Sequence, residues 1–261
     1  MKPVTELDAR GVRAVLLDID DTLTTDGRLT AQAYAALERL QGAGLRVVPV
    51  TGRPAGWCDH IARMWPVDAV VGENGAFYFF HDAKRLHKRF HDSASTRAEK
   101  RARLEAIAVR ILAAVPGCAL ASDQPYRETD LAIDYCEDVA PLPLAAAERI
   151  ATLMREAGLT AKVSSIHVNG WFGDYDKLGM TRRLFVEQLG IDLGAANRDV
   201  VFAGDSPNDA PMFAFFENSV GVANVRRFDL ADQPKYVTQA PAGTGFAELA
   251  EHLLVAKSRR A

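Results

Sequence analysis

The chain has 261 residues, 48% of them hydrophobic and 25% charged, with a formal net charge of −3 and an isoelectric point near 6.1. This length can bury a substantial core and suits about two domains. The small negative charge argues against binding to nucleic acid or to an anionic membrane surface, and no apolar run approaches the length of a membrane span.

The three cysteines, Cys58, Cys118 and Cys136, lack the paired spacing of a metal or redox motif. Cysteines of this kind are typical of a reducing cytosol. The opening residues, 1–6, lack the apolar core of a signal peptide. We therefore expect a cytoplasmic protein that does not associate with membranes.

The first predicted strand ends in carboxylates. The aliphatic run Ala14–Leu17 is typical of a buried parallel strand, and Asp18 and Asp20 follow it at alternate positions. Because alternate side chains of an extended chain point the same way, these two should point toward one site. Two close carboxylates repel each other unless a cation or a shared proton lies between them. An ordinary strand-end turn, in which Asp and Thr22 are common, is the alternative interpretation.

The second predicted strand, residues 47–50, ends in a pattern that suits an anion. The hydroxyl of Thr51 can donate a hydrogen bond, and Gly52 lets the backbone approach a ligand closely. Arg53 comes next, and we expect it to reach a second anionic group of the ligand. A surface arginine is the alternative interpretation.

Helices alternate with these strands. Residues 30–43 are predicted to form a helix that Thr30 caps and Gly44 ends. A second helix covers Ala55–Met64, and a third strand follows at residues 69–71. This alternation predicts an α/β fold with a Rossmann-like, doubly wound parallel sheet.

An inserted domain is predicted where the composition changes. After the aromatic run at residues 77–80 the chain becomes polar and basic, so we expect a discontinuous core at 1–83 and 177–261 and an α/β cap at 84–176. The cap should place helices on one face of a small antiparallel sheet. Its predicted helices cover 96–115 and 144–157, and its strands cover 118–121, 131–135, 160–164 and 166–169.

Polar side chains on or beside the cap strands are candidates for ligand recognition. Amides bond sugar hydroxyls and rings stack on apolar sugar faces, so this set is typical of a sugar-recognition surface. A partly buried strand with ordinary polar exposure is the alternative interpretation. The residues are Arg127, Ser164, Ser165, His167, Asn169 and Trp171.

The chain returns to the core at Lys177, which opens a predicted amphipathic helix at residues 177–189. A lysine there lies at the wrong end of the helix dipole, which indicates an anionic partner. The predicted strand at 199–203 leads into Asp205 and Asp209, four residues apart. Like charges at this spacing disfavour a helix unless a positive group compensates, and oxygen ligands of this kind suit Mg²⁺. The last predicted elements are strands near 219–222 and 236–237 and a helix at 246–256.

Four motifs, taken in their order along the chain, resemble those of the haloacid-dehalogenase-like (HAD) phosphohydrolases. They are Asp18-x-Asp20-x-Thr22, Thr51-Gly-Arg, Lys177 and Gly204-Asp205-x-x-Asn208-Asp209. The phrase Gly72-Glu73-Asn74-Gly75-Ala76 resembles the branch with a large α/β cap between the second and third motifs, subfamily IIB. That branch includes Cof-type, sucrose-phosphate and mannosyl-phosphoglycerate phosphatases. Asp21 stands where many members have glycine.

The resemblance implies roles for these residues. Mg²⁺ would be held by the carboxylates of Asp18, Asp205 and Asp209, and the backbone carbonyl of Asp20 would be a further ligand. Asp18 would attack phosphorus and form an aspartyl-phosphate, with Asp20 as general acid and then general base. The other expected contacts to phosphate or substrate come from Thr51, Gly52, Lys177, Thr22, Arg53, Asn74, Asn208 and the cap residues Arg127, Ser165, His167 and Asn169.

These observations predict a Mg²⁺-dependent phosphatase of a small phosphorylated metabolite, with a sugar phosphate as the expected substrate. Two alternatives stay open. A phosphomutase of the phosphomannomutase type would use the same four motifs, and a non-catalytic protein could bind the same metabolite, since a fold does not determine a function.

Overall fold

A computed structural model describes residues 1–164 and 166–258. Its helices and strands, in chain order, are β1 (Lys2–Pro3), β2 (Ala14–Leu17), α1 (Ala31–Gly42), β3 (Arg46–Pro49), α2 (Ala55–Met64), β4 (Val70–Gly72), β5 (Phe77–His81), β6 (Leu86–Phe90), α3 (Ala94–Ala114), β7 (Ala119–Leu120), β8 (Asp130–Asp134), α4 (Leu144–Glu156), β9 (Thr160–Val163), β10 (His167–Trp171), α5 (Lys177–Leu184), β11 (Val200–Gly204), α6 (Ala210–Phe215), β12 (Asn218–Gly221), β13 (Tyr236–Val237) and α7 (Ala242–Ser258).

The core is a six-stranded sheet in the order β1-β13-β12-β11-β2-β3, and every neighbouring pair is parallel. Alternate residues of β2 enter opposite layers, because side chains of a strand alternate between faces. Leu17 packs with Leu37 of α1 and Phe246 of α7, whereas Leu16 packs with Leu184 of α5 on the other face. The sheet is therefore covered on both sides, which confirms the predicted doubly wound α/β fold.

A three-stranded antiparallel sheet, β4-β5-β6, joins the edge of the core through a parallel bridge between Val50 and Val71. The boundary predicted after residue 83 falls in the turn between β5 and β6. The limits of the two domains stay a prediction.

The inserted cap is an antiparallel sheet in the order β7-β8-β10-β9. Helices α3 and α4 pack against this sheet around Ile111, Ile150 and Ile133. This is the predicted arrangement of helices on one face of a small antiparallel sheet.

Two helices differ from the sequence prediction at one end. The helix expected at residues 177–189 is α-helical only to Leu184 and continues as a single π-helical turn to Leu189. The last helix begins at Ala242 and not at residue 246. Packing requires glycine at position 243, because a β-carbon there would lie only 2.6 Å from the carbonyl oxygen of Leu23. The close packing selects glycine, which local propensity alone treats as a helix breaker.

None of the helices in the described part of the chain combines the length and the apolar composition that a membrane span requires. Strands β2, β3 and β11 run parallel, so their carboxyl ends meet at one edge of the core sheet. In open α/β sheets this edge is where ligands bind. The cap covers it.

Candidate active site

Three buried carboxylates lie at the carboxyl ends of β2 and β11. The parallel register pairs Leu17 with Ala203, which places Asp18 beside Asp205. One oxygen from each of Asp18, Asp205 and Asp209 lies within 4.8 Å of the others. Burial raises the pKa of Asp18 to about 7 against the opposing effect of nearby Lys177, and burial together with the charges of Asp209 and Asp18 raises the pKa of Asp205 to about 9.

Lys177 neutralises part of this charge. Its Nζ donates to Asp18 Oδ1 and to Asp209 Oδ1, each at 2.8 Å. Burial alone would lower the pKa of Lys177, but these two carboxylates raise it above its ordinary value. Gly75 allows this placement, because a β-carbon there would lie 2.0 Å from the carbonyl oxygen of Asp176, at the start of α5. The anionic partner expected for a lysine at this helix end is present in the structure.

The loop after β11 is arranged around Asp209. The backbone N–H of Asp205 donates to Asp209 Oδ2 at 3.1 Å. A β-carbon on Gly204 would lie 2.5 Å from the same oxygen, so only glycine fits there. Asn208 accepts a hydrogen bond from the Ser206 hydroxyl at 2.7 Å, and Thr22 donates to Asp205 Oδ1 at 3.2 Å.

The turn after β3 meets the turn after β4. Thr51 Oγ1 accepts from the N–H of Arg53 at 3.0 Å, and the carbonyl of Thr51 accepts from the N–H of Asn74 at 3.1 Å. Asn74 is 5% exposed, and its Nδ2 has no hydrogen-bond partner among the described residues. A buried donor without a partner is rare in proteins. This one lies beside Gly52, where a ligand oxygen could accept from it.

Asp20 lies outside the acidic cluster and pairs with Arg53. The guanidinium donates to Asp20 Oδ1 at 3.0 and 2.8 Å and to Oδ2 at 3.0 Å. It also donates to Glu137 of the cap at 2.9 Å and lies 4.3 Å from the ring centre of Trp57. From the sequence we expected Arg53 to reach an anionic group of the ligand. In this structure the anionic groups that it contacts, Asp20 and Glu137, belong to the protein.

The predicted cap residues reach the site, but their polar groups are engaged inside the protein. Arg127 donates to Asp123, to Asp130 and to the carbonyl of Gly52. Asn169 Nδ2 donates to Asp130 at 3.0 Å. His167 Nε2 lies 2.8 Å from Glu137 Oε2, but among the described residues it has no partner that meets the geometry of a hydrogen bond. Trp171 is buried and donates to the carbonyl of Tyr175. Ser165 lies outside the described residues.

Core and cap together enclose a cavity of about 20 Å³, which is the space of roughly one water molecule. Contacts between core and cap, such as those of Arg127 with Gly52 and of Arg53 with Glu137, close the cap over this cavity. The lining residues are Asp18, Asp20, Gly52, Arg53, Asn74, Arg127, Ser164, Ile166, His167, Asn169, Ser206 and Asn208.

Several residues at the site were not singled out from the sequence. Asn224 donates to Asp205 Oδ2 at 3.0 Å and to the carbonyl of Asp21 at 2.9 Å, yet no motif surrounds it. Glu137 follows a predicted strand end without a distinctive pattern. Asp21 adopts a left-handed backbone with φ of 55°, a conformation that glycine adopts more readily than residues with side chains.

Comparison with known proteins shows what the chain is similar to. A family model described as haloacid dehalogenase-like hydrolase matches residues 15–100. The chain is 26% identical over 251 residues to phosphoglycolate phosphatase 1 of Saccharolobus solfataricus, a match that covers 93% of this chain and 96% of that protein.

Two solved structures share the fold over most of the chain. Protein 0175 of Thermoplasma acidophilum aligns with a TM-score of 0.69 and 18% identity, covering 93% of this chain and 98% of that one. The sucrose-phosphatase of Synechocystis, solved with sucrose and phosphate, aligns with a TM-score of 0.61 and 15% identity, covering 92% and 97%. Over residues 15–100 the chain is similar to the haloacid dehalogenase-like hydrolases, and the two solved structures share its fold, a parallel core sheet with an inserted α/β cap.

Proposed function

We propose that this hydrolase is a Mg²⁺-dependent phosphatase that hydrolyses a small phosphomonoester through an aspartyl-phosphate on Asp18. One observation supports this most directly. Asp18 belongs to the buried cluster with Asp205 and Asp209 and is bonded to Lys177, and it lines the cavity that Gly52 and Asn74 also line. A nucleophile, positive charge and phosphate donors are thus next to one another.

The acidic cluster suits Mg²⁺. Three buried carboxylates within 4.8 Å of one another carry more negative charge than one ammonium can balance, and hard divalent cations prefer such oxygen ligands. Asp18, Asp205 and Asp209 would hold the ion. When bound, it would supply positive charge that offsets the repulsion between an anionic ester and these carboxylates.

The side chains then divide the reaction between them. Asp18 attacks phosphorus, the bond from phosphorus to the leaving oxygen breaks, and Asp20 gives that oxygen its proton. Asp20 next takes a proton from the water that attacks the aspartyl-phosphate, which regenerates Asp18 and releases phosphate. Lys177 and Asn74 hold the phosphoryl oxygens, with the Thr51–Gly52 turn.

We expect Arg53 to separate from Asp20 before the first proton transfer. In the closed structure both oxygens of Asp20 accept hydrogen bonds from the guanidinium, which holds the carboxyl group against Arg53 and not against a leaving oxygen. A substrate that draws Arg53 away would therefore free Asp20 as it binds.

This requirement favours a second substrate class beside the sugar phosphates. An ester with its own carboxylate would attract Arg53, since guanidinium pairs strongly with planar anions. The relative from Saccharolobus solfataricus is named a phosphoglycolate phosphatase. His167 is the one ring among the described residues that line the cavity, so a sugar would find little surface on which to stack.

The test is phosphate release from hexose phosphates, sucrose phosphate and 2-phosphoglycolate, each with Mg²⁺, with chelator and with Asp18→Asn. We expect release that needs both Mg²⁺ and Asp18. Isomer formation from a hexose 1-phosphate with a bisphosphate activator would favour the phosphomutase. Binding of a phosphometabolite without turnover of any ester would favour the non-catalytic alternative.

We also propose that the enzyme acts in the cytoplasm. Cys58, Cys118 and Cys136 all carry free thiols, which suits a reducing compartment. Measuring the distribution of the native protein between cell fractions tests this proposal.

A further inference from the structure

The turn after β4 carries a carboxylate in an unusual position. Glu73 is completely buried and adopts a left-handed backbone with φ of 42°, followed by Asn74 with φ of 56°. Residues with side chains rarely adopt this conformation, and it persists only where surrounding contacts enforce it. The four signature motifs assign no role to Glu73.

Four donors surround this carboxylate, and they come from both domains. Oε1 accepts from the N–H groups of Ala55 in the core and Glu128 in the cap, each at 2.9 Å. Oε2 accepts from the N–H of Thr129 at 2.7 Å and from the hydroxyl of the same residue. A buried carboxylate is stable only when donors satisfy its oxygens, so core and cap both contribute to its stability.

The backbone of the same turn holds the phosphate loop, residues 51–53. The N–H of Glu73 donates to the carbonyl of Arg53, and the N–H of Asn74 donates to the carbonyl of Thr51, both at 3.1 Å. The side chain of Glu73 therefore faces the cap while its backbone fixes the loop that we assign to phosphate binding.

A second contact joins the same two segments. Arg127 immediately precedes the two cap residues that bind Glu73, and its Nη1 donates to the carbonyl of Gly52 at 2.9 Å. Asp123 and Asp130 hold the guanidinium from within the cap, so it is already oriented when the cap approaches. Residues 127–129, which we call the docking loop, thus meet the core at Gly52 and Glu73 together.

We propose that Glu73 is a positioning residue that docks the cap onto the phosphate loop, so that closure of the cap and alignment of Thr51, Gly52 and Asn74 occur as one event. The catalytic consequence of this inference rests on the proposed phosphatase function. The docking itself does not, because it is defined by contacts between Glu73 and backbone groups of the cap.

The test uses Glu73→Gln, which keeps the size of the side chain but turns one acceptor into a donor that faces other donors. Hydrogen exchange of peptides that span residues 127–130, followed by mass spectrometry, should be about tenfold faster. The reason is that local opening of this segment costs less free energy in the variant. With Mg²⁺ and substrate, kcat/KM should fall by about tenfold or more, as the closed form becomes less populated.

A coupling measurement separates docking from simple structural support. Mg²⁺ with inorganic phosphate should slow exchange in the docking loop of the wild-type protein, because occupation of the phosphate loop and docking favour the same closed state. In Glu73→Gln this protection should be lost. A residue that only supported the fold would leave the protection in place.

Glu248→Gln is the matched control. Its carboxylate also accepts from two backbone N–H groups, of Gln239 and Ala240, but it lies in the core, away from the docking loop. Exchange at 127–130 and kcat/KM should stay at wild-type values. Thr129→Val provides a second variant on the cap side, since it removes only the hydroxyl contact, and it should change both readouts in the same direction by a smaller factor.

The proposal is overturned if exchange in the docking loop is the same in Glu73→Gln and wild type, or if exchange accelerates while kcat/KM is unchanged. Should Glu73→Gln fail to fold, the same two outcomes are decisive for Thr129→Val. A wild-type protein that hydrolyses no ester would contradict the proposed function, and the exchange data alone would then decide on the docking.

Discussion

Lys177 connects Asp18 to the acidic loop through two contacts of equal length, 2.8 Å to Asp18 and 2.8 Å to Asp209. The ammonium is therefore placed before any ligand arrives. Asn74 differs, because its buried Nδ2 has no partner among the described residues. One cation is held in advance by the protein, and one neutral donor is left for the ligand.

This difference predicts the effect of Asn74→Asp. The substitution keeps the shape of the side chain but replaces the free donor with an anionic oxygen that would repel phosphate. A hydrogen bond to a charged group contributes about 1.5–3 kcal/mol, so kcat/KM should fall by roughly 10- to 150-fold. Steady-state kinetics of the variant and the wild type measures this fall in kcat/KM. Asn218→Asp, which alters an exposed amide bonded to the carbonyl of Arg198, should leave kcat/KM unchanged; an equal loss in both variants would contradict the role of Asn74.

Arg53 offers a test of substrate class. If it binds a carboxylate of the substrate, Arg53→Met should lower kcat/KM for 2-phosphoglycolate by roughly 10- to 150-fold, the contribution of a charge-assisted hydrogen bond. The loss for glucose 6-phosphate, which has no carboxylate, should be smaller. Parallel kinetics on the two esters measures the difference. Equal losses would show that Arg53 acts only through its pairing with Asp20.

At the scale of elements, the helices on the far side of the sheet contribute stability without touching the site. Thr30 caps α1, and its hydroxyl oxygen accepts from the N–H of Ala33 at 3.2 Å. Thr30→Ala should lower the free energy of unfolding by about 1 kcal/mol, the usual effect of losing such a cap, with kcat/KM unchanged. Urea denaturation measures the change.

Thr152→Ala is the control for that variant. Its hydroxyl donates to the carbonyl of Glu148 within α4, on an exposed helix face, and a surface change of this kind is expected to stay within about 0.5 kcal/mol of wild type. If both variants lost the same stability, the cap of α1 would not be the cause.

Elements with strong local patterns were predictable from the sequence. The run Ala14–Leu17 and the helix Ala55–Met64 appear with the predicted bounds, because apolar patterning determines them. The motifs that begin at Asp18, Thr51 and Gly204 meet at one edge because parallel strands end together, and Lys177 reaches that edge from the start of a helix. The contacts of Arg127 and Glu73 were not predictable, since they depend on how a closed cap approaches the core, and no local pattern encodes that approach.

At the scale of the whole molecule, the buried acidic cluster makes stability depend on proton binding and, under the proposed function, on Mg²⁺. Burial and neighbouring charges raise the pKa of Asp18 to about 7 and of Asp205 to about 9, above ordinary values of about 3.9. A carboxyl group whose pKa is higher in the folded protein contributes stability that is complete below its unfolded pKa and is lost as pH rises through its folded pKa. The loss is therefore steepest between about pH 4 and 7, where both groups contribute, and it continues to about pH 9 through Asp205 alone.

In the presence of chelator, the melting temperature should therefore fall as pH rises from 6 to 9. Mg²⁺ held at this cluster, as proposed, would stabilise the ionised carboxylates, so saturating Mg²⁺ should remove most of this fall and raise the melting temperature most at pH 9. Differential scanning calorimetry at several pH values measures both effects. Asp205→Asn removes the group whose pKa is raised furthest, so its metal-free melting temperature should vary less with pH, and its response to Mg²⁺ should be smaller. A metal-free wild-type protein that became more stable from pH 6 to 9, or that showed no response to Mg²⁺ at pH 9, would contradict the assignment of these carboxylates to a cation site.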